Sequence, residues 1–106
     1  MADPVLTVTR NDELHRYEIH VDDVLGGFTE FEEVEPGTLR FPHTVTDPAF
    51  RGKGLGSVLV ERAMKDVASR GETVVPLCPF VRRYLHENDV AGLNVAWPPE
   101  SGGGGV

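Results

Sequence analysis

Asp47-Pro48-Ala49-Phe50-Arg51-Gly52-Lys53-Gly54-Leu55-Gly56-Ser57 joins a run of alternating residues to a run with helical spacing. Three glycines at every second position let the chain turn tightly and bring backbone N–H groups close to a ligand. The first amides of a helix have no partner within it, and they sit at the positive end of its dipole, so a phosphate is favoured there. Arg51 and Lys53 add cationic side chains at the same place. Together these features describe a cradle for a diphosphate. The Walker spacing, Gly-x-x-x-x-Gly-Lys-Ser/Thr, does not occur in the chain. The dinucleotide fingerprint, Gly-x-Gly-x-x-Gly, differs from Gly52-x-Gly54-x-Gly56 and belongs at the first strand–helix turn of a doubly wound sheet.

On the C-terminal side of this loop, Leu59, Val60, Ala63, Met64, Val67 and Ala68 recur at helical spacing, which predicts a helix over 55–70. Gly71 is placed to stop it, and Arg70 suits its negative end. Thr73 to Leu77 reads as a short strand, and Pro79 opens a second helix over Phe80 to His86 that ends at Asn88 or Gly92. On the N-terminal side, Val5 to Thr9 and Arg16 to Val21 read as strands, turning at Asp22-Asp23. A third strand is predicted over 24–34, with a bulge or bend at Gly26-Gly27. After the turn at Glu35-Pro36-Gly37-Thr38, Leu39, Phe41, His43 and Val45 alternate as a fourth. Pro42 cannot donate to a ladder, so that strand is an edge, bulged or splayed near its middle. The predicted class is α/β with a mixed sheet: an antiparallel meander, then a parallel β-α-β unit with splayed central strands.

A chain of 106 residues supports one domain with a modest core. The expected domain covers 1–97, followed by a disordered Pro/Gly-rich tail over 98–106. The net charge is −7, which argues against nucleic-acid binding through a basic face. The charge is uneven: residues 1–38 balance to −8, residues 39–71 to +3 and residues 72–106 to −2. A basic segment in an acidic chain fits an anionic ligand there, though a solvated surface also accounts for it. No apolar run is long enough to cross a membrane, and Met1-Ala2-Asp3-Pro4 does not open a secretory signal. The single cysteine, Cys78, fits a reducing compartment, so a cytoplasmic location is expected. His15, His20 and His86 have no metal-ligand spacing with one another or with Cys78, and no metal is expected.

Arg51-Gly52-Lys53-Gly54-Leu55-Gly56 resembles the Arg/Gln-x-x-Gly-x-Gly/Ala motif of the GNAT N-acetyltransferase superfamily. The chain is similar to a short subgroup of it over about residues 5 to 90, through Phe41-Pro42-His43-Thr44-Val45 and Val75-Pro76-Leu77-Cys78-Pro79-Phe80-Val81 with Tyr84-Leu85. The resemblance implies acetyl-CoA as co-substrate and transfer of its acetyl group to a primary amine. It implies cofactor binding by Val45, Arg51, Gly52, Lys53, Gly54, Leu55, Gly56 and Ser57, with a backbone N–H near His43 to Val45 meeting the thioester carbonyl. The subgroup lacks most N-terminal helices of larger relatives, so the acceptor cannot be inherited from them. A monomer or weak homodimer is expected.

His43, Cys78 and Tyr84 are the candidate catalytic residues. His43 suits a general base for an ammonium substrate, or is a core histidine bonded to backbone. Cys78 follows the second parallel strand and is either a nucleophile or inert packing; the resemblance places such a cysteine near the thioester and pairs it with the histidine. Tyr84 is a proton donor to the CoA thiolate by resemblance, or a packing residue. Arg82 and Arg83 are candidate phosphate contacts, and Glu30, Glu32 and Glu33 a candidate attraction for a cationic amine; a solvated face explains both groups as well. Two other readings stay open: a non-catalytic CoA-binding or acyl-CoA-binding module, and a small interaction protein whose glycine loop is purely structural.

Overall fold

The computed structural model describes residues 3–50, 52 and 54–98. Eight strands and two α-helices follow in the order β1 (Leu6–Asn11), β2 (Arg16–Val21), β3 (Val24–Glu30), β4 (Glu32–Glu35), β5 (Thr38–Phe41), β6 (Thr44–Thr46), α1 (Leu55–Ser69), β7 (Thr73–Pro76), α2 (Pro79–Glu87) and β8 (Asn94–Val95). They form two four-stranded sheets, ordered β1-β2-β3-β6 and β4-β5-β7-β8. The first sheet is antiparallel throughout. The second pairs β4 with β5 antiparallel, and β5 with β7 and β7 with β8 parallel.

The expected third and fourth strands are each cut in two. The third breaks at Phe31, which is buried and whose amide donates to the His15 carbonyl at 2.9 Å. Burying that side chain turns Glu32 to Glu35 out of the first sheet and into the second. The fourth breaks at Pro42. The Phe41 carbonyl accepts from both Leu77 N, at 3.1 Å, and Cys78 N, at 2.8 Å, which closes the ladder with β7. Pro42 has no N–H to continue it. Thr44 to Thr46 therefore pair with β3 instead. The splay inferred from Pro42 is the point where the two sheets part, and the fourth strand belongs to both.

Gly26 is the bulge: Ile19 faces Gly27 and His20 faces Leu25, leaving Gly26 unopposed. Helix α1 ends as its sequence predicts. Gly71 is left-handed (φ 71), Gly71 N donates to Ala68 O and Glu72 N to Val67 O, both at 3.1 Å, and the last carbonyls are satisfied. Its apolar face (Leu59, Val60, Ala63, Met64 and Val67) is fully buried. Tyr17 from the first sheet, Phe41 from the second and Phe31 at the crossing between them stack into one aromatic cluster, with centroids 5.7 to 6.3 Å apart. Strand β8 was not expected; two residues are too few to show a period.

Candidate functional site

Pro42 leaves β6 at the edge of its sheet, facing the gap between the sheets. Backbone direction along β6 follows from its register. His43 O accepts from Glu30 N at 3.1 Å and Asp47 N donates to Gly26 O at 2.8 Å, so residues 43, 45 and 47 turn their backbone toward β3. Groups alternate along a strand, so the amides of Thr44 and Thr46 face the gap. Val45, expected to offer its backbone to the cofactor, is directed at β3, and its side chain is exposed.

A cleft of about 220 Å³ opens beside β6, lined by Thr44 and Thr46, by Phe50, by Gly52 and Gly54 to Ser57, and by Phe80. Gly54 caps α1 in the left-handed region (φ 70) with no side-chain cap, a conformation that disfavours any residue with a Cβ. An α-helix leaves its first amides without partners inside it, and in α1 those are the amides of Leu55, Gly56 and Ser57. Gly56 has a different reason to be glycine: a Cβ there would lie 2.8 Å from Phe80 Cζ. Arg51 and Lys53 lie outside the described residues. A second cleft of about 650 Å³ shares Ser57 and Phe80 with the first and continues along α2 past Arg83, Tyr84, Glu87 and Asn88. That size falls within the usual range of about 300–1,000 Å³ for small-molecule sites.

Tyr84 is half-buried on the wall of this second cleft. Burial raises its phenol pKa, and the nearby Glu61 carboxylate adds to the rise, so the hydroxyl stays protonated through neutral pH. Cys78 is the N-cap residue of α2 and is 4% exposed. Its Sγ donates to Thr44 Oγ1 at 3.4 Å, and Thr44 Oγ1 lies 2.9 Å from the hydroxyl of fully buried Thr29. His43 is not a core residue: 54% of its side chain is exposed, and its Nε2 lies 2.8 Å from a Glu30 carboxylate oxygen. Among the described residues no hydrogen bond joins His43 to Cys78 or to Tyr84. Glu32 pairs with Arg40, and Glu33 accepts from Gly37 N. Arg83 is exposed and pairs with Glu87 at 3.5 Å.

The structure thus gathers Gly52, Gly54, Leu55, Gly56 and Ser57 at one cleft and places Tyr84 on the adjoining one. Among the described residues it shows no hydrogen bond between His43 and Cys78. Sequence reasoning missed Thr44, Thr46, Phe80 and the Glu30 partner of His43. Period-two alternation already sets Thr44 and Thr46 against Val45, and that was the available signal. Nothing local pairs Glu30 with His43.

Two sheets that part at one strand, beside a glycine-led helix whose first residues line the cleft there, define a GNAT-like α+β fold. Comparison with known families agrees: residues 16–92 match the model of the GCN5-related N-acetyl-transferase family, most of the chain, and the protein belongs to that family. Acyl transfer to an amine is the chemistry that membership brings. No curated protein matches the chain. Among the described residues no helix is long and apolar enough to cross a membrane.

Proposed function

We propose that this protein is an acetyl-CoA-dependent N-acetyltransferase that acetylates a primary amine by direct attack. The observation that carries this reading is the start of α1, where Gly52 and Gly54 to Ser57 bring the helix's first amides to the 220 Å³ cleft. A pyrophosphate accepts from such amides, and Arg51 and Lys53 supply the opposite charge from the same loop. The pantetheine arm then runs beside the β6 edge, where Thr44 and Thr46 offer backbone groups. The 650 Å³ cleft along α2 gives further room for the nucleotide.

In the reaction, the nitrogen lone pair forms the C–N bond, and the carbonyl pair moves to oxygen. On collapse the C–S bond breaks, and its pair leaves on the CoA sulfur. Tyr84 gives that thiolate a proton, a role that its raised pKa suits. His43, whose Nε2 lies 2.8 Å from a Glu30 carboxylate oxygen, takes up the proton released by the amine. Cys78 is buried behind Thr44, its Sγ 3.4 Å from Thr44 Oγ1. Its reading as packing is therefore favoured over its reading as a nucleophile. The buried thiol also fits a reducing, cytoplasmic setting.

Titration calorimetry with CoA tests the reading. The wild type binds with heat, and the Arg51→Ala, Gly54→Val double variant loses at least tenfold in affinity. Unchanged binding in the variant, or none in the wild type, refutes it. Steady-state turnover across a panel of amines separates an enzyme from a CoA-binding module.

A further inference from the structure

The hydroxyl of Thr44 has more neighbours than a surface threonine needs. It accepts from Cys78 Sγ at 3.4 Å and lies 2.9 Å from Thr29 Oγ1, while Thr44 itself lines the cleft beside the glycine loop. Either oxygen of the Thr29–Thr44 pair can donate on geometry alone. Burial decides between them. Thr29 is 0% exposed, and among the described residues its hydroxyl has no partner other than Thr44. If Thr44 were the donor, the Thr29 O–H would be a buried donor without an acceptor and would carry its full desolvation penalty. A hydroxyl oxygen that accepts nothing is the cheaper deficiency. Thr29 therefore donates and Thr44 accepts.

With Thr29 and Cys78 both donating to it, the two lone pairs of Thr44 Oγ1 are used. Among the described residues its one proton then has no acceptor, and it is directed away from both donors, on a residue that lines the cleft. From this we infer that Thr44 Oγ1–H is a hydrogen-bond donor to the carbonyl oxygen of the bound thioester, holding the negative charge that develops there during attack. The inference rests on the acetyl-CoA reading above and gives Thr44 a role in it. Thr29 and Cys78 are positioning residues, because they orient the proton and touch no substrate. No bond to Thr44 forms or breaks.

Infrared difference spectroscopy with acetyl-CoA labelled with carbon-13 at the carbonyl reads this contact without knowledge of the acceptor. In the wild type the carbonyl band moves to lower frequency on binding. In Thr44→Val, which has nearly the same shape without the hydroxyl, the shift is lost while the CoA dissociation constant stays within about threefold. Thr44→Ser retains the shift. With an amine that the wild type acetylates, kcat of Thr44→Val falls about 10²–10³-fold, as when an oxyanion donor is removed. A wild type with no shift, a Thr44→Val protein that keeps it, or a Thr44→Ser protein that loses it overturns the assignment. If Thr44→Val does not fold, Thr44→Ala carries the same expectation, and a shift that it keeps overturns the assignment. Failure of the wild type to bind CoA in calorimetry refutes the acetyl-CoA reading instead, so the two failures are distinguishable.

Discussion

At the scale of single residues, Tyr84 shows how packing sets chemistry. Its phenol sits in a half-buried wall, and burial together with Glu61 holds the proton on. A donor that stays protonated at neutral pH suits a departing thiolate, whereas a group already ionised would not. Tyr84→Phe is expected to lower kcat about 10²-fold, the low end for removal of a general acid. Affinity for CoA should stay within twofold, because the ring and its packing remain. Steady-state kinetics beside calorimetry check both; a kcat unchanged by the substitution assigns Tyr84 to packing alone.

At the scale of elements, the contact between α1 and α2 hangs on a missing side chain. Phe80, in the first turn of α2, lies over Gly56, in the first turn of α1, close enough that a Cβ would be 2.8 Å from its ring. The same ring lines both clefts. Gly56→Ala must push the ring aside, at an expected cost of about 1–3 kcal/mol, typical of overpacking. Phe80→Leu in the same chain should recover part of that loss, since a smaller side chain leaves room for the new methyl. Urea unfolding of the two single variants and the double variant forms a cycle that measures the coupling. Additive losses would show that the two residues do not press on each other.

At the scale of the whole molecule, a polar network ties the first sheet to α1 and to the start of β7. Tyr17, 1% exposed, donates to Asp66 on α1 at 2.6 Å. Arg10 on β1 donates to Glu72, just before β7, at 2.8 Å and lies over the Phe31 ring at 4.8 Å. Burial by itself would raise the Asp66 pKa, but the Tyr17 hydroxyl and the Arg70 guanidinium outweigh it and bring it below the ordinary carboxylate value. A carboxyl with a folded pKa below its unfolded one stabilises the fold at all pH values above the unfolded pKa, roughly 3.9. That contribution is lost as pH falls through the lower, folded pKa. The wild type should thus be more stable than Asp66→Asn at pH 5 to 7, and the gap should narrow below about pH 4. Urea midpoints for both proteins across that range check it, and a gap independent of pH would refute it.

Much of this molecule could be read along the chain because the causes are local. The glycine loop, the amphipathic α1 with its Gly71 stop and the opening of α2 by Pro79 depend on residues a few positions apart. The parting of the sheets was legible as well, since Pro42 lacks the N–H that a ladder needs wherever it is placed. The break at Phe31 was not, because only the core that Phe31 enters makes the chain turn there. Nor was the Thr29–Thr44–Cys78 chain, whose members come from β3, β6 and the cap of α2. His43 paired with Glu30 rather than Cys78 for the same reason: strand register chooses neighbours, and register is a property of two segments at once. The sequence alone thus determined the glycine loop and the elements that carry it. Which side chains meet around the cleft was decided only when the sheets packed, because those contacts depend on long-range pairing that no single segment encodes.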